Sequence, residues 1–294
     1  MVTTTDSDDG LLGAAAIRDL AQRLNVHPTK KWGQNFVIDP NTVRRIVASA
    51  RLDPDDVVIE VGPGLGSLTL ALLPHVKRVL AVEIDERLAT QLPLTVAHQA
   101  PALLPKLDVI HRDAMTITAA DNPFSAEPTA LVANLPYNIS VPVVLHLLAA
   151  FPSIKTVLVM VQKEVADRLV SGPGSRTYGV PSVKARWFGD LEYAGNVGRS
   201  VFWPAPNVDS GLVRITRVDR GDPGVSQKAV FAVIDAAFSQ RRKMLRSALA
   251  ALLGSSQQAE QVLIAAGIDP SVRGEQLDLD SFVAIARASA ARNA

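Results

Sequence analysis

The feature that most constrains the fold is a regular alternation of apolar and amphipathic segments between residues 57 and 162. The apolar segments are VVIEVG (57–62), RVLAVEID (78–85), DVIHRD (108–113), ALVANLP (130–136) and KTVLVMVQ (155–162). Nearly continuous apolar runs of this length are typical of strands that are buried on both faces. The segments between them, such as SLTLALLPHV and VPVVLHLLAAF, have helical patterns. Strands that alternate with helices predict a parallel, doubly wound α/β sheet.

The pattern changes after the Gly/Pro-rich segment SGPGS (171–175). A strand-like region ends in SGLVRITRV (210–218), and RGDPG (220–224) has the composition of a linker. Beyond it the chain is predicted to be helical, with one long helix over Val230–Leu253 followed by two shorter ones.

These boundaries predict two domains. Residues 1–219 form the α/β domain, in which residues 1–27 are a flexible and partly helical N-terminal extension, and residues 220–294 form a small helical domain. A helix that follows the extension is marked by Asp39 as its cap and Pro40 at its first position.

Composition excludes several classes of protein. The chain has 294 residues and a net charge of +1, so any nucleic-acid contact must depend on a local basic region. It contains no cysteine, and its five histidines lack metal-ligand spacing, so we expect no metal site. Because no signal peptide or long apolar segment is apparent, we expect a cytoplasmic protein, and we expect it to be a monomer.

A glycine-rich loop, EVGPGLGS (60–67), follows the first apolar strand and precedes a helix, which is where a sheet binds nucleotide-like ligands. Ser67 stands where a dinucleotide fingerprint would have its third glycine, which disfavours NAD. Glu83 and Asp113 end the next two strands, where they can accept hydrogen bonds from ribose hydroxyls and an adenine amino group. A tight turn or a helix cap would explain each feature alone, but together they predict an adenosine pocket. No phosphate-binding motif accompanies it, which suggests S-adenosylmethionine.

Eight motifs give the chain a resemblance to a known family. They are KKWGQNFV (30–37), EVGPGLGSLT, AVEID, RDAM, NLPYNIS, VQKEVADRL (161–169), FWPAPNVDS (202–210) and FSQRRKMLR (238–246). In this order they resemble the KsgA-type ribosomal RNA adenine dimethyltransferases over most of the chain, from about Pro28 to GIDP (267–270).

The resemblance implies a Rossmann-like methyltransferase sheet with a small C-terminal α-helical domain. It also implies transfer of two methyl groups from S-adenosylmethionine to the N6 amino group of each of two adjacent adenosines near the 3′ end of 16S rRNA, with S-adenosylhomocysteine as the product. The small ribosomal subunit or its precursor would be the partner. The cofactor contacts that it implies are Asn35, Val37, Gly62, Gly64, Glu83, Asp113 and Asn134. The family usually has Leu at the position of Val37, a difference of little consequence for a backbone contact.

The segment NLPY at the fourth strand end has a chemical interpretation that agrees with this resemblance. The side-chain oxygen of Asn134 and the carbonyl of Leu135 can hold the two hydrogens of an adenine amine and aim its lone pair at the methyl group. Pro136 fixes the backbone, and Tyr137 offers a stacking face to a base taken out of its helix. Phe202 is predicted to supply a second aromatic face; a core or hinge role, or replacement by its neighbour Trp203, is the alternative.

The densest basic region lies between Arg199 and Arg246, with nine basic residues against four acids. A helical wheel over the long predicted helix puts Arg242, Lys243 and Arg246 outward and Arg241 on the apolar side. We predict RNA contacts at these three outward residues, and a second basic group at Lys30 and Lys31. A solvated charged surface is the alternative.

Two other functions remain open at this point. A methyltransferase of the same superfamily could act on a large-subunit rRNA adenine and confer macrolide resistance, because it shares the NxPY chemistry. A ribosome-assembly or transcription factor of this fold would bind RNA without needing catalysis. The segments QKEVADRL and RTYGVPSV (176–183) and the GIDP tail favour the small-subunit target.

Overall fold

The computed structural model describes residues 10–26, 35–120, 126–136 and 139–293. Its strands are β1 (Phe36–Val37), β2 (Val57–Val61), β3 (Arg78–Glu83), β4 (Leu107–His111), β5 (Ala130–Asn134), β6 (Thr156–Gln162), β7 (Gly189–Val197), β8 (Phe202–Trp203) and β9 (Ser210–Arg217). Its helices are α1 (Ala14–Arg23), α2 (Pro40–Ala50), α3 (Ser67–Leu72), α4 (Glu86–Gln99), α5 (Ser140–Ala150), α6 (Lys163–Val170), α7 (Val180–Arg186), α8 (Gln227–Ser239), α9 (Leu245–Ala248), α10 (Ala250–Leu253), α11 (Ser256–Ala265) and α12 (Leu279–Asn293).

Seven of the described strands form one sheet, in the order β4-β3-β2-β5-β6-β9-β7. Strands β2 to β6 pair in parallel, and β9 pairs antiparallel with β6, from Thr156 opposite Thr216 to Gln162 opposite Ser210. The predicted doubly wound α/β sheet is confirmed, with an antiparallel addition that the alternation pattern did not reveal. Because β2, β3, β4 and β5 are parallel, their carboxyl ends meet at one edge of the sheet.

Helix α2 follows the short strand β1, and its first residue is fixed by a side-chain cap. The Asp39 carboxylate accepts a hydrogen bond from the Thr42 amide (2.9 Å), and Pro40 occupies the first helical turn, so the predicted N-cap is confirmed. The buried side chains of α2 include Val43, Ile46 and Val47, which join the main core cluster. The exposed face of this helix carries arginines and no acidic residue.

The chain divides into two compact units, and the division differs in one respect from the prediction. An α/β unit comprises residues 1–166 and 192–217, and a helical unit comprises residues 167–191 and 218–294. The predicted boundary near residue 219 lies within two residues of the observed one at 217/218. Residues 167–191, which the sequence assigned to the α/β domain, group with the C-terminal helices because Tyr178 and Val183 belong to their core.

The prediction of one long helix over Val230–Leu253 is wrong, because the structure has three separate helices there, α8, α9 and α10. The chain leaves the helical path between α8 and α9, where the amides of Leu245 and Arg246 donate to the carbonyls of Val272 (2.8 Å) and Pro270 (3.2 Å). These long-range hydrogen bonds replace the helical ones that periodicity alone would predict. Leu252, which the wheel placed in the buried stripe, is 43% exposed.

Candidate active site

A cavity of about 300 Å³ opens at the edge where β2, β3, β4 and β5 end. It brings together nine of the residues that the sequence predicted for cofactor binding and catalysis. They are Asn35, Val37, Gly62, Gly64, Glu83, Asp113, Asn134, Leu135 and Pro136. A parallel sheet accounts for most of this grouping, because successive strand ends must lie side by side.

The glycine loop after β2 approaches its neighbours more closely than a side chain would allow. Gly64 has φ +60°, and a Cβ placed on it would lie 2.8 Å from Cε1 of Phe36. Gly62 has φ +68° and lines the same cavity. Glycine is therefore needed here both for its backbone angle and for the space above it.

The roof of the cavity is strand β1, whose Phe36 and Val37 line it, and β1 pairs with β8 in a small two-stranded sheet. Phe36 pairs with Trp203 and Val37 with Phe202, and the rings of Phe36 and Trp203 stack with their centroids 6.4 Å apart. Ser67, at the start of α3, donates from its hydroxyl to the carbonyl of Val37 (2.8 Å). The serine that replaces a third glycine thus holds the roof strand against the glycine loop.

Glu83 is 4% exposed and its carboxylate is held by three backbone donors. The amides of Ile84 (2.9 Å) and Asp85 (3.0 Å) donate to Oε1, and the amide of Gly64 donates to Oε2 (3.1 Å). Burial raises the pKa of this carboxyl, and the three N–H donors oppose that shift. The side chain is therefore fixed between the glycine loop and the end of β3.

Glu60 is a pocket residue that the sequence interpretation missed. It is 1% exposed, lines the same cavity, and accepts a hydrogen bond from the hydroxyl of Thr69 (2.6 Å). Burial raises the pKa of the Glu60 carboxyl to about 8; the Thr69 hydrogen bond opposes the shift and the nearby Glu83 adds to it. An acid inside an otherwise apolar strand, directly before a glycine loop, was the signal that could have identified it.

Apolar side chains flank the acidic residues at the cavity mouth. Ile84 is 45% exposed and Met115 is 39% exposed, and both line the cavity. Asp113 lies between them in the chain and caps a short 3₁₀ turn by accepting from the Met115 amide (2.9 Å). Two exposed apolar side chains next to an acceptor make a surface suited to a flat heterocycle.

Asn134 ends β5 with its side chain at the cavity. Its Nδ2 donates to the backbone carbonyl of Asn35 (3.0 Å), which leaves Oδ1 as the acceptor end of the amide. Leu135 is 1% exposed and its amide donates to the carbonyl of Met160 (3.2 Å), so the strand geometry continues up to Pro136. The segment is thus held from both sides at the cavity rim.

Of the aromatic residues predicted to stack on a base, those that the structure describes are partly or fully buried. Phe202 is 3% exposed and packs in the main core cluster, so its ring is not open to a base in this structure. Trp203 is half-buried and is the more exposed of the two. Tyr137 lies outside the described residues. The stacking roles of Phe202 and Tyr137 stay predictions.

The basic residues predicted to bind RNA divide into several groups. Lys30 and Lys31 lie outside the described residues. Arg242 and Lys243 are exposed in the turn between α8 and α9, and Arg246 is half-buried within α9. Arg241 pairs with Glu275 (2.7 Å), which agrees with its predicted internal pairing.

Two other arginines of the basic region have structural partners. Arg217 donates to the carbonyls of Ile154 and Leu148, and Arg214 is 5% exposed and pairs with Glu192. They are therefore less available to RNA than the sequence count suggested.

Metal-binding groups and membrane-spanning helices are both absent from the described ranges. No group of three or more histidine or acidic side chains there has a metal-binding arrangement, so the expectation of no metal site stays a prediction. No helix within those ranges is long and apolar enough to span a bilayer.

Comparisons with known proteins agree on one family. A family model described as ribosomal RNA adenine dimethylase matches residues 26–290. Ribosomal RNA small subunit methyltransferase A of Streptomyces coelicolor is 58% identical over 96% of this chain and 98% of its own length, and that of Corynebacterium diphtheriae is 59% identical over 96% of both.

Among solved structures, a dimethyladenosine transferase from Plasmodium falciparum superposes with a TM-score of 0.71 at 24% identity. It covers 84% of this chain and 94% of its own. The 23S rRNA methyltransferase ErmE gives a TM-score of 0.62 at 26% identity, over 86% and 99% of the two chains.

Proposed function

The chain belongs to the ribosomal RNA adenine dimethylase family, and from this premise we propose that it methylates adenosines of 16S rRNA. The reaction transfers methyl groups from S-adenosylmethionine to the N6 amino groups of two adjacent adenosines near the 3′ end, giving N6,N6-dimethyladenosines. The enzyme acts as a monomer in the cytoplasm, on the small subunit or its precursor. The observation that carries this proposal is the anchored amide of Asn134 at the rim of the cavity that Glu83 and the glycine loop also line.

The residues present fit S-adenosylmethionine. The glycine loop lets a ligand approach the backbone of β2, Glu83 offers carboxylate oxygens to a ribose, and Ile84 and Met115 offer apolar faces to an adenine. Asp113 can accept from the adenine amino group, and Asn35 and Val37 form the roof. When bound, this cofactor supplies a sulfonium methyl group as the electrophile.

Glu83 must exchange at least one hydrogen bond to hold a ribose by both hydroxyls. An ionised carboxylate has about four lone-pair sites, and the amides of Gly64, Ile84 and Asp85 occupy three of them. The bond to Gly64 is the one that joins Glu83 to the glycine loop, so it is the bond that a ribose would replace. A buried carboxylate that is already held in place loses little side-chain entropy when it binds.

Asn134 and Leu135 orient the attacking amine. The lone pair of an exocyclic adenine nitrogen is delocalised into the ring, so the amine is a poor nucleophile. Acceptance of its two hydrogens by the Asn134 Oδ1 and the Leu135 carbonyl favours a pyramidal nitrogen whose lone pair points at the methyl group. The hydrogen bond from Asn134 Nδ2 to Asn35 keeps the oxygen on the substrate side. The proton leaves only after the nitrogen has become a methylammonium, so no strong general base is required.

The small-subunit target is favoured over the large-subunit alternative by degree of similarity. The relatives named ribosomal RNA small subunit methyltransferase A are 58–59% identical over nearly the whole chain, whereas ErmE is 26% identical. The NLPY chemistry does not separate the two targets, because an adenine N6 amine is the nucleophile in both.

The direct test is incubation of the protein with labelled S-adenosylmethionine and undermethylated small subunits, with large-subunit RNA as the parallel substrate. Nucleoside mass spectrometry should find N6,N6-dimethyladenosine in the small-subunit RNA alone. Product in the large-subunit RNA alone would show that the large-subunit RNA is the target. Binding of small subunits without any product would favour the non-catalytic alternative.

A further inference from the structure

A second cleft, of about 410 Å³, lies on the α/β unit between the end of α2 and strands β7 and β9. Its polar lining includes Arg45, Ser49, Arg51, Glu192 and Arg214. Three guanidinium groups face one carboxylate, so the cleft has a net charge of +2. None of these residues lines the cavity of the candidate active site.

The arginines of this cleft are positioned by the protein but only partly neutralised. Arg214 is buried, donates to the carbonyl of Ser49 (2.7 Å), and forms an ion pair with Glu192. Arg45 donates to the carbonyl of Asn196 (3.0 Å). Among the described residues, no carboxylate forms a salt bridge with Arg45 or Arg51. Burial is the main cause that lowers the pKa of Arg214, and the neighbouring positive charge of Arg51 adds to it.

Arg51 also has an unusual backbone conformation. It is the C-cap of α2 with φ 54° and ψ 47°, a left-handed conformation that glycine or asparagine usually adopts at a helix end. A long side chain at this angle costs roughly 1 kcal/mol or more that glycine would not cost. The backbone conformation of Arg51 therefore places a cationic side chain where glycine would be less strained.

Helix α2 connects this cleft to the active site. It begins two residues after Ile38, which directly follows the roof strand β1, and its eleven residues end at Ala50 beside the cleft. At a rise of about 1.5 Å per residue, such a helix is roughly 16 Å long. Its exposed face carries Arg44 and Arg45, and its sequence contains no acidic residue. A polyanion held at the active site could therefore follow a basic surface to the cleft.

We infer that the cleft binds backbone phosphates of the RNA substrate through the exposed side chains of Arg45 and Arg51, at a site separate from the basic turn of the helical unit (Arg242 and Lys243). The buried Arg214 adds positive charge to the cleft without being a direct contact. This inference rests on the proposed function, because it takes RNA as the substrate. Guanidinium groups suit phosphate oxygens because they present several N–H donors in a fixed plane. The cleft positions the RNA without reading its sequence, since phosphate contacts carry no base information.

The experiment measures binding of undermethylated small subunits at several salt concentrations for the wild-type protein and for the variant Arg45→Gln/Arg51→Gln. Each lost phosphate contact should reduce the slope of log K against log salt by about 0.7 to 0.9. We expect a smaller slope, a KM for subunits raised roughly 10-fold, and unchanged kcat and cofactor affinity, because the cleft is separate from the reacting groups. Arg18→Gln/Arg23→Gln is the matched control, since it removes two exposed arginines of helix α1 in the same unit, outside the cleft.

Two further variants separate RNA binding from folding. Arg51→Gly should keep or raise the Tm, because glycine suits the left-handed cap, while it weakens subunit binding. Glu192→Gln should strengthen binding, because it removes a negative charge that lines the cleft. An Arg45→Gln/Arg51→Gln variant that matches Arg18→Gln/Arg23→Gln in slope and KM, or a Glu192→Gln variant that binds more weakly, would overturn the inference. A wild-type protein that does not methylate small-subunit RNA would instead overturn the proposed function.

Discussion

The side-chain amide of Asn134 donates from Nδ2 to the backbone carbonyl of Asn35 at 3.0 Å, across 99 residues of sequence. This contact joins the end of β5 to the roof of the cavity and fixes which end of the amide can accept hydrogen bonds. The orientation of Asn134 that the proposed catalytic role requires is therefore the one that the fold itself stabilises.

Substitution of Asn134 should separate catalysis from cofactor binding. Asn134→Ala removes the acceptor for the adenine amine, and we expect kcat to fall by about two orders of magnitude, as for loss of one preorganised group in a polar transition-state site. Cofactor affinity, measured by titration calorimetry, should stay within a few-fold. Asn134→Asp keeps an acceptor but places an oxygen against the Asn35 carbonyl, so it should also lose activity. Normal methylation by the alanine variant would exclude the proposed role of the amide.

Substitution of Glu83 should have the opposite pattern. Glu83→Ala removes the carboxylate proposed to hold the ribose, and a hydrogen bond to a charged group contributes about 1.5–3 kcal/mol. We expect the Kd for S-adenosylmethionine to rise at least about 10-fold. Asp85→Asn is the matched control, because Asp85 caps α4 nearby without lining the cavity. If calorimetry gave equal affinities for Glu83→Ala and the control, the ribose assignment would have to be withdrawn.

The buried carboxyl of Glu60 should make stability depend on pH. Burial raises its pKa from the ordinary 4.5 to about 8, so the folded state binds more protons between these values and stability falls as pH rises through them. Glu60→Gln keeps an acceptor for Thr69 and cannot ionise. The Tm of the wild type relative to this variant should therefore be highest below pH 4.5 and should decline up to about pH 8. Parallel Tm profiles for the two proteins would contradict this prediction.

The cations of the helical unit provide a separate test of RNA contact: Arg242 and Lys243 in the basic turn between α8 and α9, and Arg246 in α9. Replacement of Arg242, Lys243 and Arg246 by glutamine should flatten the salt dependence of subunit binding by about two to three units of slope. The control removes three other exposed cations of the same unit, Lys228, Arg273 and Arg292. If the two triple variants had the same slope, the RNA contact would lie elsewhere in the protein.

The sequence predicted the active-site edge of the sheet well because that edge follows from local patterns. Apolar strands in parallel must bring their carboxyl ends together, so Gly62, Glu83, Asp113 and Asn134 could be grouped without a structure. The cap of α2 was predicted for the same reason, since Asp39 directly precedes Pro40 at the first helical position.

The errors arose where distant contacts override local periodicity. The break after α8 depends on carbonyls of Pro270 and Val272, which no window of the helical pattern contains. The burial of Phe202, whose stacking role stays a prediction, also depends on a distant contact, its pairing with Val37, 165 residues earlier in the chain. Glu60 was missed because a single acid within an apolar run does not change the predicted strand, and the pattern does not show which cavity the acid would line.

The pairing of β1 with β8 has a consequence for how variants of either strand are interpreted. Phe36 lies close to Gly64 and stacks on Trp203, so these three residues link the glycine loop to the WPAP segment. Val37, next to Phe36, pairs with Phe202. A substitution at Phe202 that weakens cofactor binding would not demonstrate a direct contact, because the disturbance could pass through Phe36. Double-mutant cycles between Phe36 and Trp203, with cofactor affinity as the measurement, would separate a direct contact with the cofactor from an effect transmitted through the stacked rings.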